Sequence, residues 1–160
     1  MRIRSTIAIV LLSVMGTLGM VELTGSVPVL GTSIFRFDEV EVDTTEVGFS
    51  REYISNATST LVNLELRAVT LDPGASPHPP RPHQQSAEQL ILVKDGTLEV
   101  ELGEVAETTA GGAEEGTHRL EPGAVLFLAP NQWHALRNAS DEPVTYYVID
   151  WVSPGMMGEK

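Results

Sequence analysis

From residue 60 onward, apolar and polar positions alternate with a period of two. Val62, Leu64, Leu66 and Ala68 share one parity, and Asn63, Glu65 and Arg67 share the other. That alternation predicts a half-buried β-strand. Asp72-Pro73-Gly74 ends it with turn chemistry. Residues 89–94 are mostly apolar on both faces, and Asp95-Gly96 follows as a tight hairpin signal. Leu98, Val100 and Leu102 then alternate with Thr97, Glu99 and Glu101. Residues 103–116 are small, polar and glycine-bearing, and read as a surface loop. Further strands are expected at 117–120, closed by Glu121-Pro122-Gly123, and at 124–129, closed by Pro130-Asn131. His134, Leu136 and Asn138 alternate with Trp133, Ala135 and Arg137. Asp141-Glu142-Pro143 is another turn, and 144–151 is the last strand. Tyr146, Tyr147 and Trp151 on it are expected in the core or in an oligomer contact, and Trp133 outside the barrel. Short strands at this spacing mean an all-β sandwich or barrel.

The N-terminal part differs. Arg2 and Arg4 precede a run, residues 6–21, without charge until Glu22. A basic start followed by a short apolar stretch has the pattern of a secretory signal, with Thr17 and Gly19 as small residues before the cleavage point. The alternative is an uncleaved membrane anchor, although the run is a little short of the ~20 residues that span a bilayer. The expected organisation is therefore a signal or anchor at 1–21, an arm with short strands at 22–58, a barrel at 59–152 and a tail at 153–160. Residues 33–37 are the candidate strand within the arm. An exported protein, periplasmic or extracellular, follows from this reading.

Composition narrows the chemistry. The chain has 160 residues with 10 basic and 22 acidic side chains, a formal charge of −12. Such a balance argues against nucleic-acid binding, which needs a basic footprint, and against stable peripheral binding to anionic lipid. The absence of cysteine excludes disulfides, thiolate metal sites and cysteine nucleophiles. The remaining chemistry gathers around four histidines, at 78, 83, 118 and 134. His83, Gln85 and Gln89 share a parity, so a bend near Ser86-Ala87 lets all three point into one cavity, and His134 comes from a later strand. Two imidazoles from different strands form the usual nucleus of a transition-metal site. His78, in Pro77-His78-Pro79-Pro80, is expected in a loop.

Residues 74–96 and 123–138 resemble the two motifs of the cupin superfamily. Counting back from Gly96 puts Gln89 at that family's glutamate position, Gln85 at its second histidine and His83 at its first. In the second motif Gly123, His134 and Asn138 match in register, while Ala129 and Asn131 stand at the proline and glycine positions. The resemblance covers about residues 60–152 and implies a single antiparallel jelly-roll β-barrel. It also implies a divalent transition metal (Zn, Fe, Mn, Ni or Cu) held by His83, Gln85, Gln89 and His134. Amides replace a carboxylate and an imidazole, which lowers the expected affinity. Glu88, His118, Phe127 and Leu136 are the candidate ligand-contacting residues, although the parity of Glu88 points it to the opposite face in a regular strand. By the same resemblance the protein is expected to form a homodimer, with residues 35–42 available to a partner's edge strand.

Three functions remain open. The first is a metal-dependent protein acting on a small anionic ligand such as a hydroxy or keto acid. The second is a metal-free binder of a sugar-like ligand, since Gln and His both donate and accept hydrogen bonds. The third is a structural module with a vestigial cavity. Fold alone does not decide between enzyme and non-enzyme.

Overall fold

The computed structural model describes residues 28–78, 86–104 and 112–157. The signal or anchor expected at 1–21 lies outside the described residues. Nine strands follow in order: β1 Asp43–Thr45, β2 Gly48–Asn56, β3 Asn63–Leu71, β4 Glu88–Asp95, β5 Leu98–Leu102, β6 Gly116–Leu120, β7 Val125–Leu128, β8 His134–Arg137 and β9 Val144–Val152. A single 3-10 turn, Pro154–Met157, closes the described chain. Among the described residues no helix is long and apolar enough to cross a membrane.

All strand pairs are antiparallel and form two sheets, one ordered β1-β2-β3-β9-β4-β7 and the other β6-β5-β8. The inner faces of the two sheets meet in one core. Leu71, Ile91, Val93, Val144, Tyr146 and Val148 from the larger sheet pack with Leu98, Val100, Leu102 and Leu136 from the smaller. Each fully buried side chain of this kind contributes about 1.5–3 kcal/mol, so the core is the principal stabiliser of the sandwich. The hairpin expected at Asp95-Gly96 joins β4 to β5, and Asp95 and Val93 flank a register shift against β9. Asn138 is fully buried and ties two turns together. Its Nδ2 donates to the carbonyls of Leu71, Asp72 and Glu142, and its Oδ1 accepts from the Ser140 amide and hydroxyl.

One expectation needs correction. Residues 33–37 form no strand. The arm instead runs over the outer face of the larger sheet, where its aromatic side chains find partners. Phe35 meets Tyr53 edge to face at 6.5 Å, and the guanidinium of Arg51 lies 4.4 Å from the Phe37 ring centroid. Arg51 also donates to the Val40 carbonyl. On β3 the register assigns the two faces. The register places Asn63, Glu65, Arg67, Val69 and Leu71 on the inner face, opposite Val152, Asp150, Val148, Tyr146 and Val144. Leu64, Leu66 and Ala68 face outward with Trp151, Ile149 and Tyr147. Burial of the outer face, with Ala68 only 4% exposed, explains why an apolar parity lies outside the barrel.

Candidate metal and ligand site

The inward polar residues of the larger sheet lie in one cross-strand row. Glu65 is opposite Asp150, Asp150 is opposite Gln89, and Gln89 is opposite Leu128. Directly opposed residues on one face bring their side chains together. Here they make a polar chain. Gln89 Nε2 donates to Asp150 Oδ1 at 2.7 Å, and Arg67 Nη2 donates to Asp150 Oδ2 at 3.1 Å. Glu65 stands 3.9 Å from the same guanidinium and accepts from Asn63 Nδ2 at 2.9 Å. Gln89 is 6% exposed and the Asp150 side chain 13%, so the bond between them is shielded from water, whereas the Arg67 side chain is 40% exposed.

Across the barrel, His134 opens β8 on the inner face of the smaller sheet, opposite Leu102. The turn before it is local chemistry. Asn131 adopts φ 62°, a left-handed conformation that Asn tolerates better than other side chains, and the Gln132 amide closes back onto the Ala129 carbonyl. The Gln132 side chain anchors this turn to the end of β5 through the Gly103 and Glu104 carbonyls. His134 is 1% exposed, and its Nδ1 lies 2.9 Å from the Gln132 carbonyl oxygen. A carbonyl oxygen only accepts, so Nδ1 carries the proton, and it is Nε2 that holds the lone pair whenever the ring is neutral. That is the arrangement in which a histidine is prepared as a metal ligand.

A cavity of about 210 Å³ lies between these groups, and its wall includes His78, Arg67, Gln89, His134, Leu136 and Tyr146. Burial pushes the Tyr146 phenol well above its usual range, against a smaller opposing effect from Arg67. Tyr146 therefore stays protonated and adds no charge to the wall. Among the described residues no three His, Cys, Asp or Glu side chains gather as a metal cluster. The neutral nitrogen and oxygen donors on the cavity wall, among the described residues, include the imidazoles of His78 and His134 and the amide of Gln89, ligand types suited to ions of borderline hardness.

Of the expected site residues, the structure brings together Gln89, His134 and Leu136. His83 and Gln85 lie outside the described residues. Three expected ligand contacts are corrected. Glu88 faces outward opposite Trp151 and accepts its indole N–H, because the strand is regular there. Phe127 also faces outward, 52% exposed, with its ring tilted against Trp151 at 6.2 Å between centroids. His118 shares the inner face with Val100, but its Nε2 lies 2.8 Å from the Glu114 carbonyl and it does not line the cavity. Two wall residues were missed, Arg67 and the exposed His78, and so was Asp150, which binds Arg67 and Gln89 from behind the wall. Asp150 had a signal, since it shares the parity of Tyr146 and Val148 on a strand otherwise apolar on that face.

A family model described as a cupin domain matches residues 67–150, more than half of the chain. No curated protein matches the sequence. Among solved structures, an RmlC-like cupin from Shewanella frigidimarina is similar at 14% identity and a TM-score of 0.57, over 78% of this chain and 94% of that one. A sugar phosphate isomerase of the cupin superfamily from Silicibacter pomeroyi is similar at 19% identity and a TM-score of 0.55, over 76% and 77%. The oxalate decarboxylase of Lactobacillus farciminis, solved with formate, is similar at 16% identity and a TM-score of 0.56 over 78% of this chain. This chain spans only 35% of that enzyme's length. At these identities the likeness is of fold.

Proposed function

Because the chain belongs to the cupin family, we propose that its barrel binds a divalent transition metal and, beside it, a small anionic ligand such as a hydroxy or keto acid. The observation that carries this reading is the His134 ring, with Nδ1 turned to a backbone carbonyl, on the wall of a cavity shared with Gln89 and Arg67. His134 and Gln89 would hold the metal, with His83 and Gln85 of the first motif completing the set. A bound ion of this kind supplies Lewis acidity toward an oxygen of the ligand.

Charge separates this reading from its rival. With the imidazoles neutral, Arg67 contributes +1 and Glu65 and Asp150 contribute −1 each, a local sum of −1. Glu88 does not enter, since it faces outward. A divalent ion turns the sum to +1, which suits a monoanion. Without metal the sum of −1 repels carboxylates and suits a neutral, sugar-like ligand, which is the second reading. Arg67 adds the specific contact in the first case, because its planar fork matches a carboxylate.

The test is a thermal-shift series with glycolate and with glucose, each in Mn2+ and in chelator. A glycolate shift that requires metal and vanishes in His134→Ala supports the proposal. Equal glycolate binding in chelator, or a glucose shift alone, refutes it. The proposal includes export, supported by residues 1–21 and checked by N-terminal sequencing of secreted material. It also includes a homodimer through the outer face, where Val125 and Phe127 are 59% and 52% exposed. Light scattering reads the dimer.

A further inference from the structure

A glutamine can ligate a metal only through its oxygen, yet the two ends of an amide are nearly isosteric. Something must therefore choose which end faces the site. In this chain the register makes the choice. Asp150 on β9 lies directly opposite Gln89 on β4, on the same inner face. An ionised carboxylate accepts and never donates, so the amide must present Nε2 to it, as the 2.7 Å contact shows. Oε1 is then the edge turned away from Asp150. The other carboxylate oxygen is held by Arg67 Nη2 at 3.1 Å, so Asp150 is itself fixed in place.

We infer that Asp150 is the positioning residue of this site: it orients the Gln89 amide with its oxygen toward the metal and supplies, from the last strand, the negative charge that the first motif lacks at position 89. This inference rests on the metal-binding reading above. Its physical basis is that of a carboxylate behind a ligating imidazole, which fixes the ligand's orientation and raises its basicity. A carboxylate accepting from the amide N–H likewise draws electron density onto the amide oxygen. The charge sits one residue further from the ion than a ligating glutamate would, so the ion keeps more of its Lewis acidity. Arg67 has two duties here, holding Asp150 and facing the cavity, which couples the orientation of Gln89 to the group that meets an anionic ligand.

The experiment measures Co2+ and Mn2+ affinity by calorimetry, with the Co2+ absorption spectrum as a second readout, on the full chain. Asp150→Asn is nearly isosteric but lets the facing amide adopt either orientation. Metal affinity is expected to fall about 10- to 100-fold, the usual size of an outer-shell loss, with a changed Co2+ spectrum. The exchange variant Gln89→Glu/Asp150→Asn returns a carboxylate to the β4 position with an amide donor behind it, and is expected to recover the affinity. Recovery in the double variant is a result that simple structural damage at residue 150 does not produce. Parent-like affinity and spectrum in Asp150→Asn would overturn the inference and leave the metal reading standing. Loss without recovery in a folded double variant would also overturn it. A parent chain that takes up neither ion, and whose behaviour is the same as that of His134→Ala, would overturn both readings together.

Discussion

Asn138 stands at a position the cupin motif marks, yet it does not line the cavity. Replacing it by aspartate tests whether its role is structural. The substitution conserves shape, so no cavity term enters. It removes the two N–H donors shared by the carbonyls of Leu71, Asp72 and Glu142, at 3.1, 3.0 and 2.8 Å. Two lost hydrogen bonds cost about 1 kcal/mol each, and buried carbonyls left facing an oxygen cost about 1–3 kcal/mol more. The total is about 3–5 kcal/mol. At roughly 2–4 °C per kcal/mol for a chain of this size, Tm should fall by about 6–20 °C. Scanning calorimetry or circular dichroism measures it. Below the transition, metal affinity of Asn138→Asp should equal that of the parent. A Tm within about 3 °C of the parent would refute the clamp, and an intact fold with lost metal would show that the residue serves the site instead.

Gly96→Ala should cost about 2–4 kcal/mol in a urea melt, because the residue adopts φ 77° and an added Cβ would stand 2.6 Å from the Pro143 carbonyl oxygen. Tyr146 bears on alkaline stability. Its phenol is raised by burial, so the unfolded chain ionises first, near pH 10. Stability from the neutral phenol is therefore intact below that pH and declines above it by at most about 1.4 kcal/mol per pH unit. Tyr146→Phe should flatten the pH dependence of Tm above pH 10, and an unchanged alkaline slope would count against it. Arg67→Met should weaken glycolate binding in the presence of metal at least tenfold, read by calorimetry, and an unchanged affinity would remove Arg67 from the ligand contact.

The strand pattern and the turns were legible in the sequence because their causes are local. A period of two is visible within six residues, and Asp95-Gly96, Glu121-Pro122-Gly123 and Pro130-Asn131 carry their turn preferences in their own side chains. The motif spacing likewise points Gln89 and His134 toward one cavity, and both line it. What the sequence could not decide was which face of a strand is inside. On β3 the alternation separates Leu64, Leu66 and Ala68 from Glu65 and Arg67, and only the pairing with β9 shows that Arg67, Val69 and Leu71 point inward. Alternation gives the faces but not their assignment, since an outer face covered by an arm and by neighbouring aromatics is also buried. The same limit hid Asp150. Its parity is local, but its place opposite Gln89 depends on β4 and β9 meeting across about 60 residues of chain, and only that pairing joins an arginine, a carboxylate and an amide into one site.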